Sequence, residues 1–253
     1  MIHSAESFHP NPDNLRAIQD VGRQVAPDTS ELAKWCSGFI AGNSLRISYD
    51  LELVQRFANK SGLILDVGAI PPLLITALKR QGYNVAGLDI DPSRFSDTIG
   101  KLDIDVRACN VETESIPYED NSIDLMVFNE LFEHLRINLI TTFEELWRVL
   151  KPGGIILMST PNGLAMHSLV RMLQRREVGP GIHFEYEKLT RVGHMGHVRE
   201  YSVNEVVEFL ERMNFEVVEV VHRARYHRRW IDAVLRLFPS MRPFLSFVIR
   251  KPA

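Results

Sequence analysis

The side chains in this sequence that can do chemistry stand where apolar runs end. Asp66 and Gly68 follow the run Leu63-Ile64-Leu65, and Asp89 with Ile90 follows Val85-Ala86-Gly87-Leu88. Asn110, Val111 and Glu112 come after a third such run, and Asn129 with Glu130 after a fourth. Carboxylates and amides placed this way accept hydrogen bonds from hydroxyl and amino groups, which is what a nucleotide asks of its site. His134 lies four residues beyond Glu130. An imidazole there suits a general base, or else it opens a helix and bonds the neighbouring backbone. Glu130 can orient a substrate or a cofactor amine, or cap the next helix. His194, His197 and Arg199 stand together in GHMGHVREY, where substrate contact, metal ligation and a structural loop compete. A metal site wants a carboxylate or a further clustered ligand, and the local sequence supplies none, so no metal is assigned.

The elements that must position these residues follow from the patterning. Residues 63–91 read as strand, tight turn, helix, strand, with Gly68-Ala69-Ile70-Pro71-Pro72 as the turn. A parallel βαβ unit of this length binds nucleotides at the carboxyl ends of its strands, and an acid about 20 residues past the turn holds ribose hydroxyls. Either proline fits the first turn of the helix, where an N–H has no partner to lose. Further strands are expected over 104–108, 123–128, 155–159, 215–222 and 244–251. Helices are expected over 92–100, 137–150 and 203–213. Strands and helices that alternate in this way imply a mainly parallel sheet covered on both faces.

Three segments flank or interrupt that rhythm. Residues 1–12 look loosely packed, and helical spacing follows over 14–41 and 49–58, with Gly38 and Gly42 marking a hinge. This segment, 1–58, covers the cleft or packs on the sheet edge. An insert, 163–200, carries one helix over 167–176 and a glycine-rich turn at 179–181. Last, 223–242 sets Arg223, Arg225, Arg228, Arg229, Arg236 and Arg242 against Asp232 alone, with Trp230, Val234, Leu235 and Phe238 on one helical face. Such a helix can lie on an anionic membrane surface, bind an anionic substrate, or simply be solvated.

The 253 residues, with a net charge of −3, fit one large α/β domain and give no whole-protein nucleic-acid footprint. Cys36 and Cys109 have neither metal nor disulfide spacing and read as reduced thiols of a cytoplasmic protein. The polar N-terminus is no signal peptide, and no apolar run is long enough to cross a bilayer. The expected location is the cytoplasm, with the basic segment able to touch the inner membrane. Oligomeric state is not readable.

Taken in order, LILDVGAIPPLL, VAGLDIDP, ACNVETESIPYEDNSIDLMVFNELFEHL and ELWRVLKPGGIILMSTPN resemble a class I S-adenosylmethionine-dependent methyltransferase. The segment HVREYSVNEVVEFLERMNFEVVEV resembles that family's last helix and sixth strand. The resemblance implies a Rossmann-like three-layer α/β sandwich with a seven-stranded, mostly parallel sheet whose last strand is antiparallel. It implies S-adenosyl-L-methionine as cofactor, held by Asp66, Gly68, Ala69, Ile70, Asp89, Ile90, Asn110, Val111, Glu112 and Asn129. His134 and Glu130 become the catalytic candidates, and His194, His197 and Arg199 the substrate-binding ones. The implied reaction is O-methylation of a small molecule, sugar or lipid-linked glycan. N-methylation of a small amine is the alternative, as is a non-catalytic scaffold. The family's loop has three glycines, of which only Gly68 stands here, and this departure keeps the scaffold reading open.

Overall fold

The computed structural model describes residues 1–7, 9–175, 183, 186, 190, 196–223 and 229–253. Its centre is a sheet of the apolar runs: β2 (Leu63–Val67), β3 (Asn84–Asp89), β4 (Val106–Ala108), β5 (Ile123–Asn129), β6 (Leu150–Pro161), β7 (Glu216–Arg223) and β8 (Phe244–Arg250). An eighth strand, β1 (Ile2–Ala5), pairs in parallel with β7 at the edge. The order is β1-β7-β8-β6-β5-β2-β3-β4, and only β8 runs antiparallel to its neighbours. The expected seven strands are therefore eight, because residues 2–5, read as loose, are ordered by backbone pairing along β7. That bonding is indifferent to side chains, so no apolar alternation marks it.

Alternation along each strand divides the core between two helical layers. Met126 and Phe128 face α5 (Leu139–Val149) and α7 (Val203–Arg212), packing with Phe143, Leu146, Val206 and Leu210. Leu125 and Val127 face the other way. There they join α1 (Pro12–Gly22), α2 (Ser30–Phe57) and α3 (Leu73–Arg80) through Ile18, Val21, Leu51, Val54, Leu74 and Leu78. The remaining helices are α4 (Ser96–Leu102), α6 (Met166–Arg175) and α8 (Arg229–Leu237).

Two expectations change here. The proposed break near Gly38 and Gly42 is absent, and α2 is one helix of 28 residues, about 42 Å long. Packing of its buried face against α1 and α3 outweighs the weak helix preference of two glycines. The basic segment also divides. Residues 224–228, with Arg225 and Arg228, lie outside the described residues, while Arg223 and Arg242 are buried. Arg223 ends β7 and reaches Glu6, Asp50, Ser246 Oγ at 3.0 Å and the carbonyl of Arg46 at 2.9 Å. Burial opposes its charge, but Asp50 and Glu6 outweigh that and hold the guanidinium above its ordinary pKa.

Removing one partner of a buried ion network leaves the others desolvated and uncompensated. Arg223→Leu is expected to lower unfolding free energy by about 3–5 kcal/mol, measured by denaturant titration. Arg212→Ala, which removes an exposed i,i+4 pair with Glu208, should cost less than about 0.5 kcal/mol.

Candidate active site

The strand order reverses between the parallel neighbours β2 and β5, and ligands of such sheets bind outside the carboxyl ends at that point. A cleft of about 840 Å³ opens there. Asp66 and Val67 enter it from β2, Asp89 from β3, and Asn129 with Glu130 from the end of β5. Gly68, Ala69, Ile70, Ile90, Asn110, Val111 and Glu112 line it as well. Every residue expected to meet a cofactor thus shares one cavity.

The turn after β2 is built on one glycine. Gly68 has φ +79°, a left-handed conformation that side chains resist. The N–H groups of Gly68 and Ala69 both reach the carbonyl of Leu88, at 2.8 and 3.0 Å, which folds the turn onto β3. A Cβ at Gly87 would stand 2.9 Å from the Ala69 Cβ, so that close approach needs glycine on the strand too. Asp89 accepts the Ile70 N–H at 3.2 Å and the Asp91 N–H at 3.0 Å. Burial raises its pKa while those two N–H groups and Arg94 pull it down. Asp66 has no such relief. Burial pushes its pKa up to about 7, and Asp50 and Asp89 add to the shift.

Asn110 and Glu112 spend acceptors on the fold. Asn110 Oδ1 takes the Glu112 N–H at 3.1 Å, and Glu112 Oε1 takes those of Arg136 and Ile137 at 2.7 and 2.6 Å. Glu130 sits at φ +52°, unusual for a side chain of its kind and frequent at functional sites. Its Oε1 accepts from Ser159 Oγ at 2.9 Å and lies 4.0 Å from Arg46 Nη1. Asn138, not Glu130, caps the helix that follows.

His134 ends a single 3-10 turn, Phe132–His134, and its Nδ1 lies 3.1 Å from the Gly196 carbonyl. A carbonyl only accepts, so Nδ1 carries the hydrogen and Nε2 is the basic nitrogen. The His197 ring stands edge-on at 5.0 Å. The backbone carbonyl of Glu133 holds the His197 side of the insert through the Val198 N–H at 2.8 Å. Both histidines line the cleft. Arg199 does not: it is exposed, paired with Glu205 and stacked over Tyr201. His194 lies outside the described residues.

Two contributions escaped the sequence reading. Glu133 is fully buried; Thr160 Oγ1 donates to its Oε2 at 3.0 Å, and burial, then the charge of Glu130, drives its pKa well above the ordinary range. Trp35, Phe39, Asn43, Arg46 and Asp50 of α2 line the cleft opposite the strand ends. Their spacing of four, four, three and four is one helical face, a signal that the supposed glycine hinge obscured.

A cleft of this size, with a glycine-shaped turn, a carboxylate at the second strand end and an acid-rich surround, fits S-adenosyl-L-methionine: ribose hydroxyls need acceptors and the cofactor is cationic. A doubly wound sheet with this site and a lone antiparallel strand defines the class I methyltransferases. Residues 65–158 match the methyltransferase domain family. A probable S-adenosylmethionine-dependent methyltransferase of Mycolicibacterium smegmatis is 29% identical over 214 residues, 83% of this chain and 71% of that protein. A ubiquinone biosynthesis O-methyltransferase of Rickettsia bellii is 26% identical over 186 residues, 70% of this chain and 72% of that one. Among solved structures, a methyltransferase of Thermotoga maritima described as a possible histamine N-methyltransferase superposes with TM-score 0.61. Its identity is 14%, and the match covers 87% of this chain and 96% of that one, a likeness of fold. Residues 65–158 therefore form a methyltransferase domain, and the fold and the relatives are those of S-adenosylmethionine-dependent class I methyltransferases.

The raised pKa of Asp66 has a pH consequence. Unfolded, the carboxyl ionises near 4; folded, near 7. The folded state holds the extra proton between those values, so its contribution is complete below pH 4 and lost as pH rises through 7. Without cofactor, Asp66→Asn should therefore gain stability relative to wild type between pH 5 and pH 8, by at most about 4 kcal/mol. Paired thermal melts at the two pH values check the sign.

Proposed function

We propose that this methyltransferase methylates an oxygen of a hydroxyl-bearing small molecule, sugar or lipid-linked glycan. The observation that carries the proposal is His134: its Nδ1–H is committed to the Gly196 carbonyl, so its basic nitrogen belongs to a wall of the cleft. An alcohol or phenol must shed a proton as it attacks, and a positioned imidazole is the usual group to take it. The O-methyltransferase name of the Rickettsia relative supports the same choice.

When bound, S-adenosylmethionine supplies a sulfonium methyl group, and the protein's task is alignment and electrostatics. Asp89 would hold the ribose hydroxyls, with Ile90, Asn110, Val111 and Glu112 about the adenine. Asp66, Gly68, Ala69, Ile70 and Asn129 would meet the methionine part. Glu130, tethered to Ser159 and facing Arg46, would orient the acceptor or the cofactor amine. His197 would contact the acceptor, while the outward pairing of Arg199 gives it no part in the cleft. Trp35 and Phe39 on α2 would close over the ligands.

No helix among the described residues is long and apolar enough to cross a membrane. Exposed Leu173 on α6, and Trp230 and Leu237 on α8, 77%, 62% and 77% exposed, favour an acceptor that carries an apolar tail.

Calorimetry should show S-adenosylhomocysteine binding, and Asp89→Ala should weaken it at least tenfold; unchanged affinity would remove Asp89 from the ribose. Labelled-methyl assays on hydroxylated aromatic and sugar acceptors should find one that is used. On that acceptor His134→Gln should lower kcat by about 10²–10⁴-fold without altering S-adenosylhomocysteine affinity. Transfer only to amines would overturn the oxygen assignment.

A further inference from the structure

Beside the proposed acceptor position, three potential ligand atoms meet: a carboxylate oxygen of Glu133 and one ring nitrogen each of His134 and His197, all within 4.8 Å of one another. Glu133 Oε1 lies 4.0 Å from His134 Nε2 and 4.0 Å from His197 Nε2. Two donors bound at about 2.1 Å to one ion can stand up to about 4.2 Å apart, so both pairs already fall within reach of a common centre. Glu133 has no exposed surface, and its Oε1 has no hydrogen-bond partner among the described residues. Buried carboxylate oxygens are ordinarily satisfied, so this one calls for an occupant.

The surrounding bonds strengthen that expectation. His197 Nδ1 lies 3.2 Å from Glu200 Oε1, as His134 Nδ1 lies 3.1 Å from the Gly196 carbonyl. Each ring thus gives its Nδ1 hydrogen to an acceptor behind it, which makes Nε2 the electron-pair nitrogen in both. Glu133 Oε2 is likewise held from behind by Thr160. Ligands braced through their other polar atom, with a carbonyl or carboxylate behind each histidine, are the usual outer arrangement of a metal site.

We propose that Glu133, His134 and His197 bind a divalent transition-metal cation at the acceptor end of the cleft. Two imidazoles and one carboxylate suit zinc or ferrous iron better than magnesium, and three protein ligands leave positions open. An acceptor hydroxyl that took an open position would become more acidic and would release its proton to bulk water, the methyl transfer then needing no imidazole base. That consequence rests on the oxygen-acceptor reading; cation binding does not. The His134 Nε2 lone pair serves the metal or the proton, so with metal bound the base role of His134 gives way to a ligand role.

Full-length protein, stripped with a chelator, is titrated with Zn²⁺ by calorimetry and with Co²⁺ by visible absorbance. One equivalent is expected to bind, with ligand-field bands from Co²⁺. Glu133→Gln keeps the shape and the Thr160 partner, and should weaken Zn²⁺ at least tenfold and abolish the bands. His197→Ala should do the same, whereas Arg212→Ala should not. S-adenosylhomocysteine affinity, measured on every variant, reports that the cleft is folded. Zn²⁺ binding by wild type no tighter than by Glu133→Gln overturns the site. In that case a surviving loss of turnover in His134→Gln would leave the oxygen-acceptor reading standing.

Discussion

A charge placed inside this protein has to be answered, and that requirement ties the periphery to the sheet. Arg223 closes β7 with its guanidinium under the apolar surface, bonded to Glu6 before α1, to Asp50 on α2 and to Ser246 on β8. Four segments far apart in the chain meet at one side chain. Desolvating that cation is tolerable only with both acids present. The N-terminal strand and the long helix are therefore held in register with the sheet by electrostatics as well as by packing. Asp50 also receives Arg46 at 3.4 Å, and Arg46 faces Glu130 at 4.0 Å, so the network runs from the structural edge into the cleft.

Within the cleft the same principle runs in the other direction. Asp66, Asp89, Glu130 and Glu133 crowd the carboxyl ends of adjacent strands, and burial raises the pKa of Asp66, Asp89 and Glu133. A parallel sheet forces this convergence, because every strand ends on the same side. Such a surround disfavours anionic ligands and lowers the cost of bringing in a cationic one. It suits a sulfonium cofactor and, at the Glu133 end, a metal cation. Ile70 and Pro72, which stand where the resembled family's loop has its two later glycines, leave the left-handed turn at Gly68 intact.

Much of the fold was legible because apolar runs and their stop signals are local. The apolar runs 63–65, 84–88 and 123–128 announce strands, each closed by a polar residue. The strand at 2–5 was not legible, since backbone pairing to β7 leaves no pattern in its residues. The continuity of α2 was not either, because burial against α1 and α3 overrode the glycines at 38 and 42. Arg223 and Arg242 sit in a stretch whose local pattern is that of a basic amphipathic helix, because the groups that bond them lie far away in sequence.

At the site, residue type and position after each strand identified Asp66, Gly68, Asp89, Asn110, Asn129 and Glu130 as one group, since a parallel sheet turns sequence order into spatial convergence. That much the chain carried in its own pattern. Which atoms face one another was decided only by tertiary structure. His197 stands beside His134 because the Glu133 carbonyl binds the Val198 N–H. Glu133 is buried because Thr160 meets it from β6. Arg199 leaves the cleft because Glu205 holds it on the surface. Local sequence states what a residue can do, whereas burial and long-range bonding determine its charge, its tautomer and its neighbours.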